Sequence, residues 1–292
     1  MSACMLCPRE CGVDRTKTQG YCGADEMPRV AVCMLHHWEE PYLSGTNGSG
    51  AVFFSGCNLG CIYCQNHTIR NGGVGEIMSA EALKDAYLAL QDQGAHNINL
   101  VTAAPYVPEI AKSIQIARKS GLSIPIVYNT SGYERVETLK LLDGLVDIYL
   151  PDWKYVSPAL SERFSNAPDY GKVAADAIAE MYRQVGNLVI NDQNLAVRGL
   201  AIRHLVLPGC IDDSRRIMDQ IVTRFPVSTY ISLMCQYTPQ EHVTEFPLNR
   251  RVTAREYERL ISYALSIGLY NILIQQKDSA QSIFTPHFTD RI

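Results

Sequence analysis

Three cysteines within eight residues constrain this chain more than any other feature: Cys57, Cys61 and Cys64, in Ser55-Gly-Cys57-Asn-Leu-Gly-Cys61-Ile-Tyr-Cys64-Gln-Asn66. They directly follow residues 51–55, a short apolar run that reads as a buried strand. Thiolates in this C-x3-C-x2-C spacing can wrap one corner of an iron–sulfur cube, whereas a complete [4Fe–4S] site takes four protein ligands. The missing fourth ligand leaves one iron open to bind a small molecule. A zinc knuckle completed by His67, or three separately packed cysteines, are the competing readings.

The rest of the composition fits that chemistry. Eight of the ten cysteines lie in the first 64 residues of the 292, and in a cytoplasmic chain such thiols indicate metal or redox chemistry before disulfides. With 26 basic and 30 acidic side chains and a net charge of −4, the chain does not bind by neutralising phosphates, so no nucleic-acid partner is expected. No apolar run approaches the ~20 residues needed to cross a bilayer, and the N-terminus lacks a signal-peptide pattern. The expectation is a cytoplasmic protein without a membrane partner.

From residue 51 onward, β-branched or aromatic runs alternate with amphipathic stretches, the pattern of a parallel sheet with crossover helices. Strands are expected at 51–55, 97–102, 125–129, 147–150, 201–207, 228–235 and 270–275. Helices are expected at 80–93, 107–120, 135–142, 172–185 and 213–225, with a last one opened by a Thr253–Glu256 capping box. Periodicity alone allows either an open doubly wound sheet or a barrel short of eight strands. Residues 1–50 stand apart as an irregular Cys-rich arm, 51–276 form the α/β unit and 277–292 a tail without clear period. The Gly45–Gly50 run precedes a strand and lacks a following Lys-Ser/Thr, so it is no phosphate loop.

Within the arm, Cys4, Cys7, Cys11 and Cys22 form a C-x2-C-x3-C-x10-C set in a segment with no core of its own. Four such thiolates suit tetrahedral zinc or a closed iron–sulfur cluster, either of which would supply folding energy; the spacing does not separate the two metals. His36, His37, Glu39 and Glu40 make a polar cluster beside the arm, read as a solvated loop. Cys33, Cys210 and Cys235 read as packing residues.

The cysteine loop resembles the signature of the radical SAM superfamily, with Tyr63 as the aromatic before the third cysteine. Within it, Gly56-Cys-Asn-Leu and Cys64-Gln-Asn66 look most like pyruvate formate-lyase activating enzyme and its uncharacterised relatives, over residues 51 to about 240. The resemblance implies a partial (βα)6 barrel and a [4Fe–4S] cluster that reductively cleaves S-adenosylmethionine to a 5′-deoxyadenosyl radical. It implies an oxidoreductase fed by an electron donor such as flavodoxin or ferredoxin. The radical would take hydrogen from a protein or peptide, as in glycyl-radical activases; a small-molecule substrate, or an electron carrier without substrate, are the alternatives.

Other positions match one at a time. Tyr128-Asn-Thr-Ser-Gly-Tyr133 looks like the family's Asp-Thr-Asn-Gly, and Leu150-Pro-Asp-Trp-Lys154 like its Asp-x-Lys. The resemblance implies that Thr130 and Asp152 ligate a monovalent cation beside the cofactor and that Lys154 approaches its carboxylate. Asn129 stands where the family has Asp, which removes a charge from that cation site. Ile202-Arg-His-Leu-Val-Leu-Pro-Gly209 is similar to Arg-Tyr-Val-Val-Val-Pro-Gly, placing Arg203 near the cofactor's sugar or carboxylate. Val101-Thr-Ala-Ala-Pro105 departs from the common Gly-Gly-Glu-Pro, leaving Thr102 or backbone carbonyls to receive the amino group. Cys235, at an expected strand end, is the packing cysteine that could meet a radical.

Overall fold

A computed structural model describes residues 3–275 and 288. In chain order its elements are β1 (Arg29–His36), α1 (Pro41–Ser44), β2 (Ser49–Phe54), α2 (His67–Arg70), β3 (Glu76–Ile77), α3 (Ala80–Asp92), β4 (Ile98–Val101), α4 (Val107–Lys119), β5 (Ile126–Thr130) and α5 (Val136–Leu139). There follow β6 (Ile148–Pro151), α6 (Pro158–Ser165), α7 (Tyr170–Val185), β7 (Val189–Ile190), β8 (Ala196–Leu205), α8 (Ile211–Arg224), β9 (Tyr230–Met234), α9 (Ala254–Ser266) and β10 (Ile272–Ile274). The sheet runs β10-β9-β8-β6-β5-β4-β2-β1-β3, with β7 paired to β8 off this path.

Every expected strand is present, and from β2 to β10 each neighbour along that order is parallel. Helices fill the crossovers, giving the α/β partial barrel. The expected helix over 135–142 is one α-turn followed by a 3-10 turn at Lys140–Leu142. The capping box at Thr253 and Glu256 is formed with both reciprocal bonds.

Alternation along each strand divides the side chains between two faces. On β2, Val52 and Phe54 join the large core under the helices, while Ala51 and Phe53 point to the inner face with Val101 of β4. The inner face continues through Val127, Ile148, Leu150 and Ala201, which pack on Tyr42 and Leu43 of α1. Each fully buried large side chain stabilises the fold by about 1.5–3 kcal/mol.

The first fifty residues do more than the expected arm. Residues 3–28 are irregular, but β1 pairs antiparallel along β2 from Val30↔Phe54 to His36↔Ser49. The apolar run Val30–Leu35 carried this signal, masked by its Cys- and Gly-rich neighbours. After β1, α1 closes the N-terminal ends of the strands: Asn97 donates to Leu43 O at 2.8 Å and accepts from Ser49 Oγ at 2.6 Å. Tyr42 stacks edge-on against Tyr230 at 5.1 Å. Apart from Phe288, whose ring meets Phe53 edge-on at 5.6 Å, the expected tail 277–292 lies outside the described residues.

Candidate active site

The cysteine loop leaves β2 at its C-terminal end, where parallel α/β folds build their sites. Gly56 opens it with φ +94, and a Cβ there would stand 2.9 Å from Cys22 O, so the residue must be glycine on both counts. Cys61 is buried and Cys57 and Cys64 are half-buried. Burial raises the Cys64 thiol to about 12, with the neighbouring cysteines adding to it; Cys61 is raised chiefly by burial, against the opposing pull of Lys154 and Ser165. Cys61 and Cys64, so placed, ionise only with compensating charge, which an iron–sulfur cluster would supply. Donors already face the sulfurs: Ser165 Oγ lies 3.0 Å from Cys61 Sγ and Leu59 N 3.4 Å from Cys57 Sγ. The residues present therefore fit a cluster. Among the described residues, no group of three or more His, Cys, Asp or Glu side chains is arranged to hold a single metal ion.

Tyr63 does not face the inner surface. Its hydroxyl meets Tyr155 OH at 2.6 Å, Tyr155 OH meets Ser165 Oγ at 3.0 Å, and Ser165 donates to Cys61. The aromatic thus begins a buried hydrogen-bond chain that ends on a cysteine sulfur.

Beside the loop lies a buried charge network. Asp152 accepts from Lys154 Nζ at 2.6 Å through Oδ2 and from Arg203 Nε at 2.9 Å through Oδ1. Arg203 also donates to Asn129 Oδ1 at 2.6 Å and to Glu39 Oε1 at 2.9 Å. The second Glu39 oxygen accepts from Asn99 at 2.9 Å and Asn129 at 3.1 Å. Burial pushes the Asp152 carboxyl up, but the Arg203 and Lys154 charges outweigh it and hold it below the ordinary range. Asp152 and Lys154 in turn act on Cys61, which couples network and loop.

Of the expected residues, Asn129, Asp152, Lys154 and Arg203 come together. Thr130 does not join them: it points to the opposite face of β5, where its hydroxyl donates to buried Glu134. Thr102 ends β4 with φ +63, a conformation rare for a β-branched residue, and its amide donates to Asn129 O at 3.0 Å. Such strain is characteristic of ligand sites. Gly132, with φ +76, lets this turn approach Asp152 O, which a Cβ would meet at 2.5 Å. Cys235 lies with Sγ 3.6 Å from Gln275 O, and Cys33 and Cys210 pack against the main core.

Glu39 and Glu40 overturn the reading of a solvated loop. His37 and Trp38 are exposed, but Glu40 is only 4% exposed and Glu39 bonds three inner-face side chains. A Pro at position 41 opening a helix was the visible signal that the chain turns inward here.

The arm is fastened to the same loop. Arg9 donates to Asn58 O at 2.9 Å, Leu59 O at 3.1 Å, Ser165 O at 3.2 Å and Asn166 O at 2.5 Å, with its guanidinium 3.9 Å from the Tyr21 ring centre. Cys57 N donates to Cys22 O at 3.1 Å. Burial, above all, pushes the Cys7 thiol up to about 12, and Cys22 and Cys4 add to it; Cys22, raised by burial, feels Cys4 and Cys11. These thiols feel one another electrostatically, but among the described residues they are not arranged around a single metal position.

No described helix is long and apolar enough to cross a membrane. The chain is similar to an uncharacterized protein of Methanocaldococcus jannaschii, 27% identical over 275 residues that cover 91% of this chain and 75% of that protein. The family model of the radical SAM superfamily matches residues 51–199, just over half of the chain and including the cysteine loop, the Asn129 turn and the Asp152–Lys154 segment. The chain belongs to the radical SAM superfamily, whose chemistry cleaves S-adenosylmethionine with an electron from a donor.

Proposed function

We propose that this chain is a radical enzyme of the glycyl-radical-activase type acting on a protein or peptide. The observation that carries the radical reading is the charge network of Asp152, Lys154, Arg203 and Asn129 standing against the Cys57–Cys64 loop. Cys57, Cys61 and Cys64 would hold the [4Fe–4S] cluster. Lys154 and Arg203 offer charge-assisted donors to a carboxylate, and Asn129 and Thr102 offer polar groups to the remainder of S-adenosylmethionine. Tyr63 would act through Ser165 on the cluster sulfur. When bound, cluster and cofactor supply a 5′-deoxyadenosyl radical that takes hydrogen from substrate. The chain's own part is to orient the cofactor and to keep water out of the inner face, which α1 closes from below.

The monovalent cation implied beside the cofactor would find Asp152 but not Thr130, which is turned to Glu134, and Asn129 lacks the family's charge. Cys4, Cys7, Cys11 and Cys22 form the proposed second metal site, with zinc or a second cluster as the occupant, in the arm that precedes the 51–276 catalytic unit. Docking of that arm on Asn58 and Leu59 supports a role beside the cluster. An electron donor such as flavodoxin or ferredoxin, and a cytoplasmic location, complete the proposal.

Electron paramagnetic resonance of the reduced, reconstituted protein tests it. Addition of S-adenosylmethionine should change the cluster signal, and the Cys57→Ala/Cys61→Ala/Cys64→Ala protein should lack that signal. A signal indifferent to the cofactor sinks the reading and favours an electron carrier. Metal analysis of the same variant assigns the arm: residual iron indicates a second cluster, residual zinc a zinc site, and neither removes the second site.

A further inference from the structure

Arg9 stands outside the residues matched by the family model, yet its guanidinium is given wholly to the backbone around the cysteine loop. Nε donates to Asn58 O at 2.9 Å, Nη2 to Leu59 O at 3.1 Å and to Ser165 O at 3.2 Å, and Nη1 to Asn166 O at 2.5 Å. The Tyr21 and Tyr133 ring centres lie 3.9 and 5.2 Å from it. The first two acceptors lie between Cys57 and Cys61, the other two at the end of α6. An arginine suits this arrangement because its planar fork carries five donors and no acceptor, so it can hold two separate segments at once. A lysine offers three donors at one point.

Each held segment carries a donor to a cysteine sulfur. Asn58 O and the Leu59 N–H belong to one planar peptide unit, so fixing the oxygen fixes the direction of the N–H, which lies 3.4 Å from Cys57 Sγ. A hydrogen bond to that oxygen also polarises the unit and strengthens its N–H as a donor. On the other side, Ser165 is the last residue of α6, where carbonyls lack helical partners, and Asn166 follows it with φ 48. Arg9 binds both of their carbonyls, while Ser165 Oγ donates to Cys61 Sγ at 3.0 Å. One guanidinium therefore stands behind the donors to two sulfurs. Its four acceptors are uncharged, so they leave its positive charge uncancelled. Donors to cluster sulfurs and nearby positive charge both favour the reduced form of a cluster.

We propose that Arg9 is a positioning residue for the cluster: by fixing the Asn58–Leu59 peptide and the end of α6 it holds two sulfur donors in place and raises the potential at which the cluster accepts its electron. The inference rests on the reading of Cys57, Cys61 and Cys64 as the cluster ligands. It gives the N-terminal arm a part in the electron-accepting step, carried by Arg9 and not by the arm's own cysteines.

Redox titration of the reconstituted full-length protein tests it, followed through the paramagnetic signal that the Cys57→Ala/Cys61→Ala/Cys64→Ala protein lacks. The proteins compared are the parent, Arg9→Ala, Arg9→Lys, Ser165→Ala and Arg9→Ala/Ser165→Ala. At the parent's midpoint potential, Arg9→Ala should lower the ratio of reduced to oxidised cluster by about threefold. Arg9→Lys keeps the charge without the fork, so its shift should have the same sign and be smaller. Because part of the effect runs through Ser165, the double variant should shift by less than the two single shifts added together. A parent-like potential in Arg9→Ala, or strictly additive shifts, overturns the proposal. So does a parent-like potential in Arg9→Lys, which would leave the effect to charge alone; this milder variant decides the matter if circular dichroism shows that Arg9→Ala has lost the fold. A parent protein without the signal overturns the cluster reading and this inference with it, whereas a full signal at an unmoved potential overturns this inference alone.

Discussion

Replacing Asp152 by Asn removes the carboxylate that stands between Lys154 and Arg203 at 2.6 and 2.9 Å, all three side chains being 12–14% exposed. Glu39 still holds Arg203 at 2.9 Å, so the uncompensated charge falls mainly on Lys154, which also meets the new amide donor. Breaking a buried pair by removing one partner costs about 3–5 kcal/mol, and the surviving Glu39 contact places this case near 3. Unfolding entropy is about 2.1 cal/mol/K per residue, which over 292 residues gives about 0.6 kcal/mol/K and a Tm lower by about 5 °C. The pH dependence has a definite sign. The folded carboxyl lies below its unfolded value, so its contribution is present above the unfolded pKa of about 3.9 and fades as pH falls through the folded one. Thermal melts by circular dichroism at pH 7 and in acid measure both effects, and Lys154→Met in the Asp152→Asn background should recover most of the loss. An Asp152→Asn Tm within 1 °C of the parent, or a double variant no better than the single, would refute the argument.

Ser165→Ala removes the hydroxyl donor to Cys61 Sγ and should shift the cluster's reduction potential negatively by the order of tens of millivolts, since only the difference between oxidation states of a bond worth about 1.5–3 kcal/mol counts. A redox titration followed by paramagnetic resonance reads this, and an unchanged potential removes the Tyr63–Tyr155–Ser165 chain from cluster tuning. Burial raises the Glu134 carboxyl to about 7 against the opposing bonds from Thr130 and Tyr128. Its folded pKa lies above the unfolded one, so stability falls as pH rises from about 4.5 through 7; Glu134→Gln should flatten the change in urea midpoint between pH 5 and pH 8, and an unaltered slope contradicts the assignment. Arg9→Ala deletes four bonds to carbonyls of the cysteine loop and α6 region and should make residues 3–28 cleavable by protease while the sheet survives. Equal resistance of both proteins would show that the arm is held by something else.

The parallel strands were legible because each is a short apolar run closed by turn residues, and the cysteine loop because its spacing is local. Glu39 was not, since its partner Arg203 is 164 positions away and no periodicity links them. Thr130 and Tyr63 were assigned by motif position, but their contacts follow strand alternation and loop packing, which turn Thr130 to Glu134 and Tyr63 to Tyr155. The helix α6 was overlooked although Ser157 caps it and Pro158 occupies its first turn, a local signature that a search for amphipathic periods passes over. The left-handed Thr102 could not be read at all, because only the fold around β4 imposes it.

Anaerobic reconstitution with iron and sulfide, reduction by dithionite, and chromatography for 5′-deoxyadenosine test the central claim most directly. The account predicts 5′-deoxyadenosine that depends on both S-adenosylmethionine and reductant and is lost in the Cys57→Ala/Cys61→Ala/Cys64→Ala protein. Equal amounts from that variant, or none from a parent protein with a full complement of cluster iron, would contradict it.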